Sequence, residues 1–452
     1  METGCEAVTG WSKPVRFQKV CPLLKQSPGG AWVCSVSAQE VRPFWGRVGI
    51  YFGTTGFVIW VILIGSAFWG MRLIGYHVSL RQLVWPPAWH ELQGVRADLF
   101  IEMARTNYRA GRVREAIQSL SIAHELNPTH YQVAMMLAQF NQAGNASQSD
   151  LLYGQLLQNH PERRSEIARA WFQSLLARGR MTDIAELAKR QLLAEPEQAQ
   201  AWTFALLFAT RHRTNDEMLP VMAADDALPA APREVLKLAA KVRKLPPALA
   251  RQALLETPVV AGFSYDLVFR IEELIRLGYP QDALAVLAQI RSGLSGRDVA
   301  RLVFSAYAAQ HNQDRLLQEF RALLAPKRNL RAAECTLLAV HLIKYPDPVL
   351  LSMLVEATKR LPVEPADAWM ESALAVFCAA GVQGKAEQMH AVKQMITDTY
   401  AISPLGLSGM ELFFLGKSEQ ALIETFLPNL NPLSLELNYA LLDRYYKMPP
   451  AK

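Results

Sequence analysis

The chain has 452 residues, 51% of them hydrophobic and 19% charged, with a formal charge of +6 and a pI near 9.0. This composition supports an extensive core and excludes an intrinsically disordered chain, and because basic and acidic residues are interspersed without long single-sign runs, nucleic acid is not expected as a partner. The five cysteines, Cys5, Cys21, Cys34, Cys335 and Cys378, are too few for a disulfide-built secreted framework, so packing has to supply the stability.

Residues 1–47 read as an N-terminal tail. Cys21 and Cys34 flank a Pro28-Gly29-Gly30 turn, with Cys5 further upstream. A zinc site normally takes four ligands, often as CxxC pairs; the tail has no such pair and no histidine occurs before His77. No metal is therefore assigned, and the tail is read as a small turn-containing plug or docking segment with reduced thiols.

Residues 48–72 are predicted to be a transmembrane helix. Val48 to Met71 are 24 consecutive residues without a charge, enough at about 1.5 Å per residue to span a hydrocarbon core of roughly 30 Å with some tilt. Arg47 and Arg72 bracket the segment, and Trp45, Tyr51, Trp69 and Tyr76 stand near its ends, where amphipathic rings favour the headgroup layer. A cleavable signal calls for a short leader and an apolar stretch of about 7–15 residues, so the segment is expected to remain as an anchor. Lys13, Arg16, Lys19, Lys25, Arg42 and Arg47 precede it, against Arg72, Arg81 and Arg96 after it. The positive-inside rule then leaves the N-terminus in the cytoplasm and sends the C-terminal part across the inner membrane, into the periplasm of a bacterium. The Gly49/Gly53 and Ser66/Gly70 pairs have the small-xxx-small spacing that allows a homodimer through this helix.

After a juxtamembrane linker, residues 73–95, containing Trp85, Pro86, Pro87 and Trp89, short amphipathic helices recur over residues 96–213. The clearest unit is Ala97 to His130, ADLFIEMARTNYRAGRVREAIQSLSIAHELNPTH. Ala104, Ala116 and Ala123 are small where two helices would cross. Phe100, Met103 and Leu120 are large where gaps would need filling, Gly111 serves the turn, and Pro128 closes the second helix. In this pattern the unit resembles the tetratricopeptide repeat, a helical hairpin of about 34 residues. It departs from the family at Asn107, where tyrosine is preferred, although Tyr108 is adjacent.

Looser units follow, from Tyr131 to about Arg164 and from Ser165 to Pro196, and Gln198 to Arg211 opens another. Residues 214–262, punctuated by Pro220, Pro229, Pro232, Pro246, Pro247 and Pro258, are expected to be an irregular helical joint or degenerate repeats. Hairpins resume over residues 263–452. Tyr265–Gly278 pairs with Asp282–Arg291, Val299–Gln310 with Arg315–Leu324 closed by Pro326, Leu330–Lys344 with Pro348–Leu361, and Asp367–Ala380 with Lys385–Thr399. Leu405–Leu415, Ser418–Leu427 and Leu433–Tyr446 form the last group. No segment alternates with a period of two for long enough to make a strand, so the predicted fold is all-α, a transmembrane helix followed by a solenoid of antiparallel hairpins.

No phosphate-binding, dinucleotide-binding, HExxH or GxSxG signature occurs; the nearest string, Gly406-Leu407-Ser408-Gly409, has the wrong spacing. No enzyme activity and no cofactor are therefore expected. His90 beside Glu91 lacks a second histidine and reads as an exposed or capping residue. The acid pairs Glu272/Glu273 and Asp225/Asp226 read as solvated helix face and loop. Cys335 and Cys378 fall on apolar stripes, where cysteine behaves as a small hydrophobe, although pairing across adjacent hairpins is open to them.

The resemblance implies a groove that binds peptides or partner helices. Its lining residues would be Asp98, Ile101, Arg105, Tyr108 and Arg109 in the first unit and Gln132, Met135, Gln139 and Gln142 in the second. Arg and Tyr suit such contacts because they bring large area and several hydrogen bonds; the competing reading is a solvated helix face. Ile101 and Arg105 stand where some chaperone adaptors of the family carry a carboxylate clamp, so that clamp is not expected. The expected function is a membrane-anchored scaffold that organises other proteins of an envelope complex. The alternative is an accessory subunit of a polysaccharide synthesis or secretion apparatus.

Overall fold

Apolar residues spaced three and four apart bury one stripe of a helix, and this period governs the chain: every described element longer than three residues is an α-helix. The computed structural model describes residues 24–30, 32–34, 43–89, 91–212, 218–290, 293–325, 329–400, 405–416 and 433–446. Cys5, Cys21, His90, Pro326 and the expected helix Ser418–Leu427 lie outside the described residues. The chain divides into two compact units, Met1–Leu137 and Ala138–Lys452.

In the first unit, strands β1 (Leu24–Gln26) and β2 (Trp32–Cys34) pair antiparallel, Leu24 opposite Cys34. This is a small departure from the purely helical expectation. The turn explains it: Gly30 adopts φ +83° and donates its N–H to Ser27 O at 2.8 Å, a reversal that residues with a Cβ disfavour. Helix α1 (Pro43–Ile74) begins before the expected segment and runs past it. Within it Gly49–Ile74 is long and apolar enough to cross a membrane, and none of its most apolar window is buried.

A short helix α2 (Leu80–Val84) and a 3-10 turn (Pro86–Ala88) lead into α3 (Glu91–Arg109) and α4 (Val113–Leu126), which pack on each other. Ala97, Ala104, Ala116, Leu120 and Ala123 are buried, and the small side chains among them let the backbones approach. Gly111, at φ +75°, makes the turn. Asn107, the departure from the repeat pattern, has a local role: its Oδ1 accepts from Arg112 Nε at 3.1 Å and NH2 at 2.8 Å, tying the end of α3 to the start of α4.

Helix α5 (Tyr131–Gly144) contains the boundary between the units. In the second unit, α6 (Ala146–Asn159) is joined to α7 (Arg164–Ala177) by Asp150. That carboxylate accepts from Trp171 Nε1 at 2.8 Å and from both terminal nitrogens of Arg178 at 2.9 and 2.6 Å. Burial opposes its charge, but Arg178 and Trp171 outweigh burial and hold the carboxyl below its usual range. Helices α8 (Met181–Ala194) and α9 (Ala199–Arg211) follow and pack closely.

The proline-rich stretch, expected to be an irregular helical joint or degenerate repeats, contains three helices: α10 (Met218–Ala223), α11 (Ala230–Lys244) and α12 (Pro247–Glu256). Pro220, Pro232 and Pro247 sit in first turns, Pro229 and Pro246 immediately precede helices, and Pro258 follows one. Proline is tolerated at those positions because no intrahelical N–H is needed there. The nearly unexposed pair Arg270–Asp266, 2.9 Å apart, secures the exit. Arg270 also donates to the carbonyls of Leu254, Thr257 and Pro258, satisfying the end of α12.

Helices α13 (Ser264–Arg276), α14 (Pro280–Ile290), α15 (Gly296–Ala309), α16 (Gln313–Leu323), α17 (Ala332–Lys344), α18 (Pro348–Thr358), α19 (Ala366–Val382) and α20 (Ala386–Tyr400) form successive pairs. The first helices also touch in order: α9 meets α13, α13 meets α15, α15 meets α17, and α17 meets α19. Helix α21 (Leu405–Phe414) packs on α19. The last described helix, α22 (Leu435–Tyr445), does not extend this series; it packs back against α17 and α7.

Candidate functional site

Where α22 lies along the first helices it leaves a cavity of about 790 Å³. Each helix contributes one stripe at helical spacing: Phe204, Phe208 and Arg211 from α9, Tyr265, Val268 and Glu272 from α13, Arg301 and Ser305 from α15, and Glu436, Tyr439 and Asp443 from α22. Arg276, Asp298, Lys344 and Tyr345 complete the polar side of the wall. The aromatic part is closely packed, with the Tyr439 ring 4.6 Å from Phe204 and 4.5 Å from Phe208.

The charges are arranged as coupled pairs. Glu272 bonds Arg301, which also lies 3.7 Å from Asp298. Glu273, behind the wall, receives Arg211 at 3.5 Å and Arg276 at 2.5 Å. Asp443 meets His212 at 2.8 Å and Glu436 meets Arg297 at 2.6 Å. Burial works against the charge on Glu272, but Arg301, Lys344 and Arg211 outweigh it and hold the carboxyl below its usual range. Burial likewise opposes ionisation of Asp443, and the His212 hydrogen bond with Lys344 and Arg211 overcomes it. Both carboxylates therefore stay charged at neutral pH, as do Arg211 and Arg301. Lys344 is exposed and makes no direct hydrogen bond or ion pair among the described residues, so it offers a cation at the rim.

Glu272 and Glu273 thus correct the reading of a solvated helix face: Glu273 is 5% exposed, and both acids hold arginines from other helices. Asp226, by contrast, is exposed in a loop and pairs with Arg233 at 2.6 Å.

The residues predicted to line a groove fall elsewhere. Asp98, Arg105, Tyr108, Arg109, Gln132 and Gln139 are exposed, with Arg105 3.8 Å from Glu102. Ile101 and Met135 are buried, at 6% and 8% exposure, and are unavailable as surface contacts. Ile101 shares the buried stripe of Ala97 and Ala104, and Met135 stands among buried Val133, Ala134, Leu137 and Ala138. Gln142 is half-buried and donates to Tyr153 Oη at 2.7 Å. Asp98 to Met135 belong to the first unit, Gln139 and Gln142 to the second.

Among the described residues no group of three or more His, Cys, Asp or Glu side chains is placed to hold a metal ion. Cys335 and Cys378 are buried and unpaired, and burial pushes the Cys335 thiol up to about 11 despite its contact with Thr358. Sequence reasoning did not single out Arg301, Lys344, Tyr439 or Asp443. Their spacing marks helix stripes but carries no sign that α22 faces α9.

Protein-family models, curated proteins and solved structures provide no match to this chain.

Proposed function

We propose that the chain is a single-pass membrane protein carrying a tetratricopeptide-like helical array that binds a partner protein, with no catalytic role of its own. The observation that carries this reading is the cavity bordered by stripes of α9, α13, α15 and α22, where fixed ion pairs and aromatic edges offer shape and charge without a reacting group. Support for the anchor comes from the unburied apolar length of Gly49–Ile74. Support for the repeat reading comes from the close packing of α3 on α4 through alanines. On the same reading the N-terminal tail is cytoplasmic and the helical part lies across the inner membrane.

A polysaccharide-guiding role ranks second. Phe208, Tyr265 and Tyr439 border the cavity, but each is less than 10% exposed; their faces are occupied by packing, whereas sugar stacking needs open rings.

The test uses the full chain, captured from detergent extracts of its native cell and compared with two variants. Arg276→Glu with Lys344→Glu reverses the cavity rim, and Arg105→Glu with Arg109→Glu reverses the exposed face of α3. Loss of specific partners in the first variant is the expected result; an identical partner set in both variants refutes the binding assignment. A C-terminal reporter active only outside the cytoplasm checks the orientation.

A further inference from the structure

The chain between α1 and α3 carries a face that water alone does not explain. Helix α1 stops sharply: Tyr76 N–H donates to Met71 O at 3.0 Å and Gly75 N–H to Arg72 O at 3.1 Å, with Gly75 at φ +102°. These are the paired bonds of a Schellman cap. A Cβ on Gly75 would stand 3.3 Å from Leu99 Cδ1, so the turn already lies against α3.

The inner side of the following residues is held in place. Val78 and Ala88 are buried, Gln82 Nε2 donates to Glu91 Oε2 at 3.2 Å, and Arg81 lies 4.0 Å from Glu91. Pro86 and Pro87 open the 3-10 turn, whose backbone they stiffen. The outer side is also apolar. Leu80, Val84, Trp85 and Trp89 are 55%, 38%, 58% and 57% exposed. An amphipathic linker in water would present polar residues there; a cluster of large apolar side chains on a fixed backbone marks a surface that something covers.

We infer that this outer face is a membrane-interface anchor, with Leu80, Val84, Trp85 and Trp89 entering the headgroup layer and Arg72 and Arg81 meeting lipid phosphates. The inference rests on reading α1 as a membrane span. Lipid is favoured over a protein partner by position and chemistry. Leu80 follows Ile74 by six residues, so at about 3.5 Å per residue it cannot leave the vicinity of the helix end. Tryptophan prefers the interface because its ring is apolar while its N–H stays near polar acceptors. The Arg81 side chain is 77% exposed even beside Glu91, which leaves it accessible to anionic headgroups.

The full chain is reconstituted in vesicles of phosphatidylcholine and phosphatidylglycerol, with photoreactive benzoylphenylalanine placed singly at Ile59, Trp85, Trp89 or Leu249. Ile59 is 53% exposed within the apolar helix and Leu249 is 51% exposed on α12. Lipid adducts at Ile59, Trp85 and Trp89, and their loss at Leu249, are expected on irradiation. Lipid adducts at Ile59 with none at Trp85 and Trp89, or with only protein adducts there, overturn the anchor while leaving the span intact. Absence of lipid adducts at Ile59 as well overturns both.

Discussion

The ring of Tyr439 in α22 lies 4.5 Å from that of Phe208 in α9, bringing the last described helix of the second unit onto one of its earliest. Phe172 and Phe204 also surround Tyr439, at 6.1 and 4.6 Å. Deleting this ring leaves a void that helices fixed on several sides cannot fill. Tyr439→Ala should cost about 3–5 kcal/mol, read from guanidinium unfolding followed by circular dichroism. Phe208→Ala combined with it should cost less than the two single effects added, because both changes empty one cluster. A loss below about 1 kcal/mol would mean that α22 is not docked as described.

Glu272 and Arg301 form an ion pair on the cavity wall. Removing one partner strands the other's charge, so Arg301→Met should destabilise by roughly 2–4 kcal/mol. That lies somewhat below the roughly 3–5 kcal/mol of fully buried pairs, because 25% of Arg301 and 23% of Glu272 still reach water. The double variant Arg301→Met, Glu272→Gln should recover part of that loss. Additive effects in the double-mutant cycle would contradict the coupling.

His341 is buried against Phe304, Phe320 and Tyr345, and its Nε2 lacks a hydrogen-bond partner. Burial first, and Lys344 second, lower its pKa from 6.5 to about 3. The unfolded chain therefore binds a proton at this residue that the folded chain refuses. The resulting stability is fully present above pH 6.5 and declines as pH falls toward 3, by up to about 1.4 kcal/mol per unit. Glu272, depressed below its ordinary 4.5, adds a loss of the same sign only at lower pH. His341→Phe should remove the slope between pH 6.5 and about 5, as measured by melting temperature against pH. An unchanged slope would assign the pH dependence to other groups.

Gly381 in α19 has no room for a side chain: an added Cβ would overlap the Phe414 ring of α21, itself packed on Tyr445. Gly381→Ala should cost about 1–3 kcal/mol by displacing that ring. Gly409→Ala, with nothing within 4 Å, should be neutral or gain up to about 1 kcal/mol from helix propensity. Equal effects in thermal melts would refute the close approach of α19 and α21.

Much of the helical architecture was legible because helix formation is local. Periodic apolar residues, first-turn prolines and glycines such as Gly111, Gly278 and Gly384, all at positive φ, act within a few residues of where they stand. The same local logic applies to the proline-rich helical joint, where six prolines between residues 220 and 258 each stand where a helix begins or has ended. It misplaced Ile101 and Met135, since a position counted along one hairpin does not reveal what covers it.

By itself the sequence determined that this protein is helical and that one uncharged stretch of membrane-spanning length, Val48 to Met71, stands near its N-terminus, because hydrogen bonding within a helix and its apolar period are properties of neighbouring residues. Only the tertiary structure decided that Glu272 and Glu273 are enclosed among arginines, and that Tyr439 and Asp443 close a cavity with α9. Those facts depend on side chains distant along the chain reaching the same place, which no local spacing encodes.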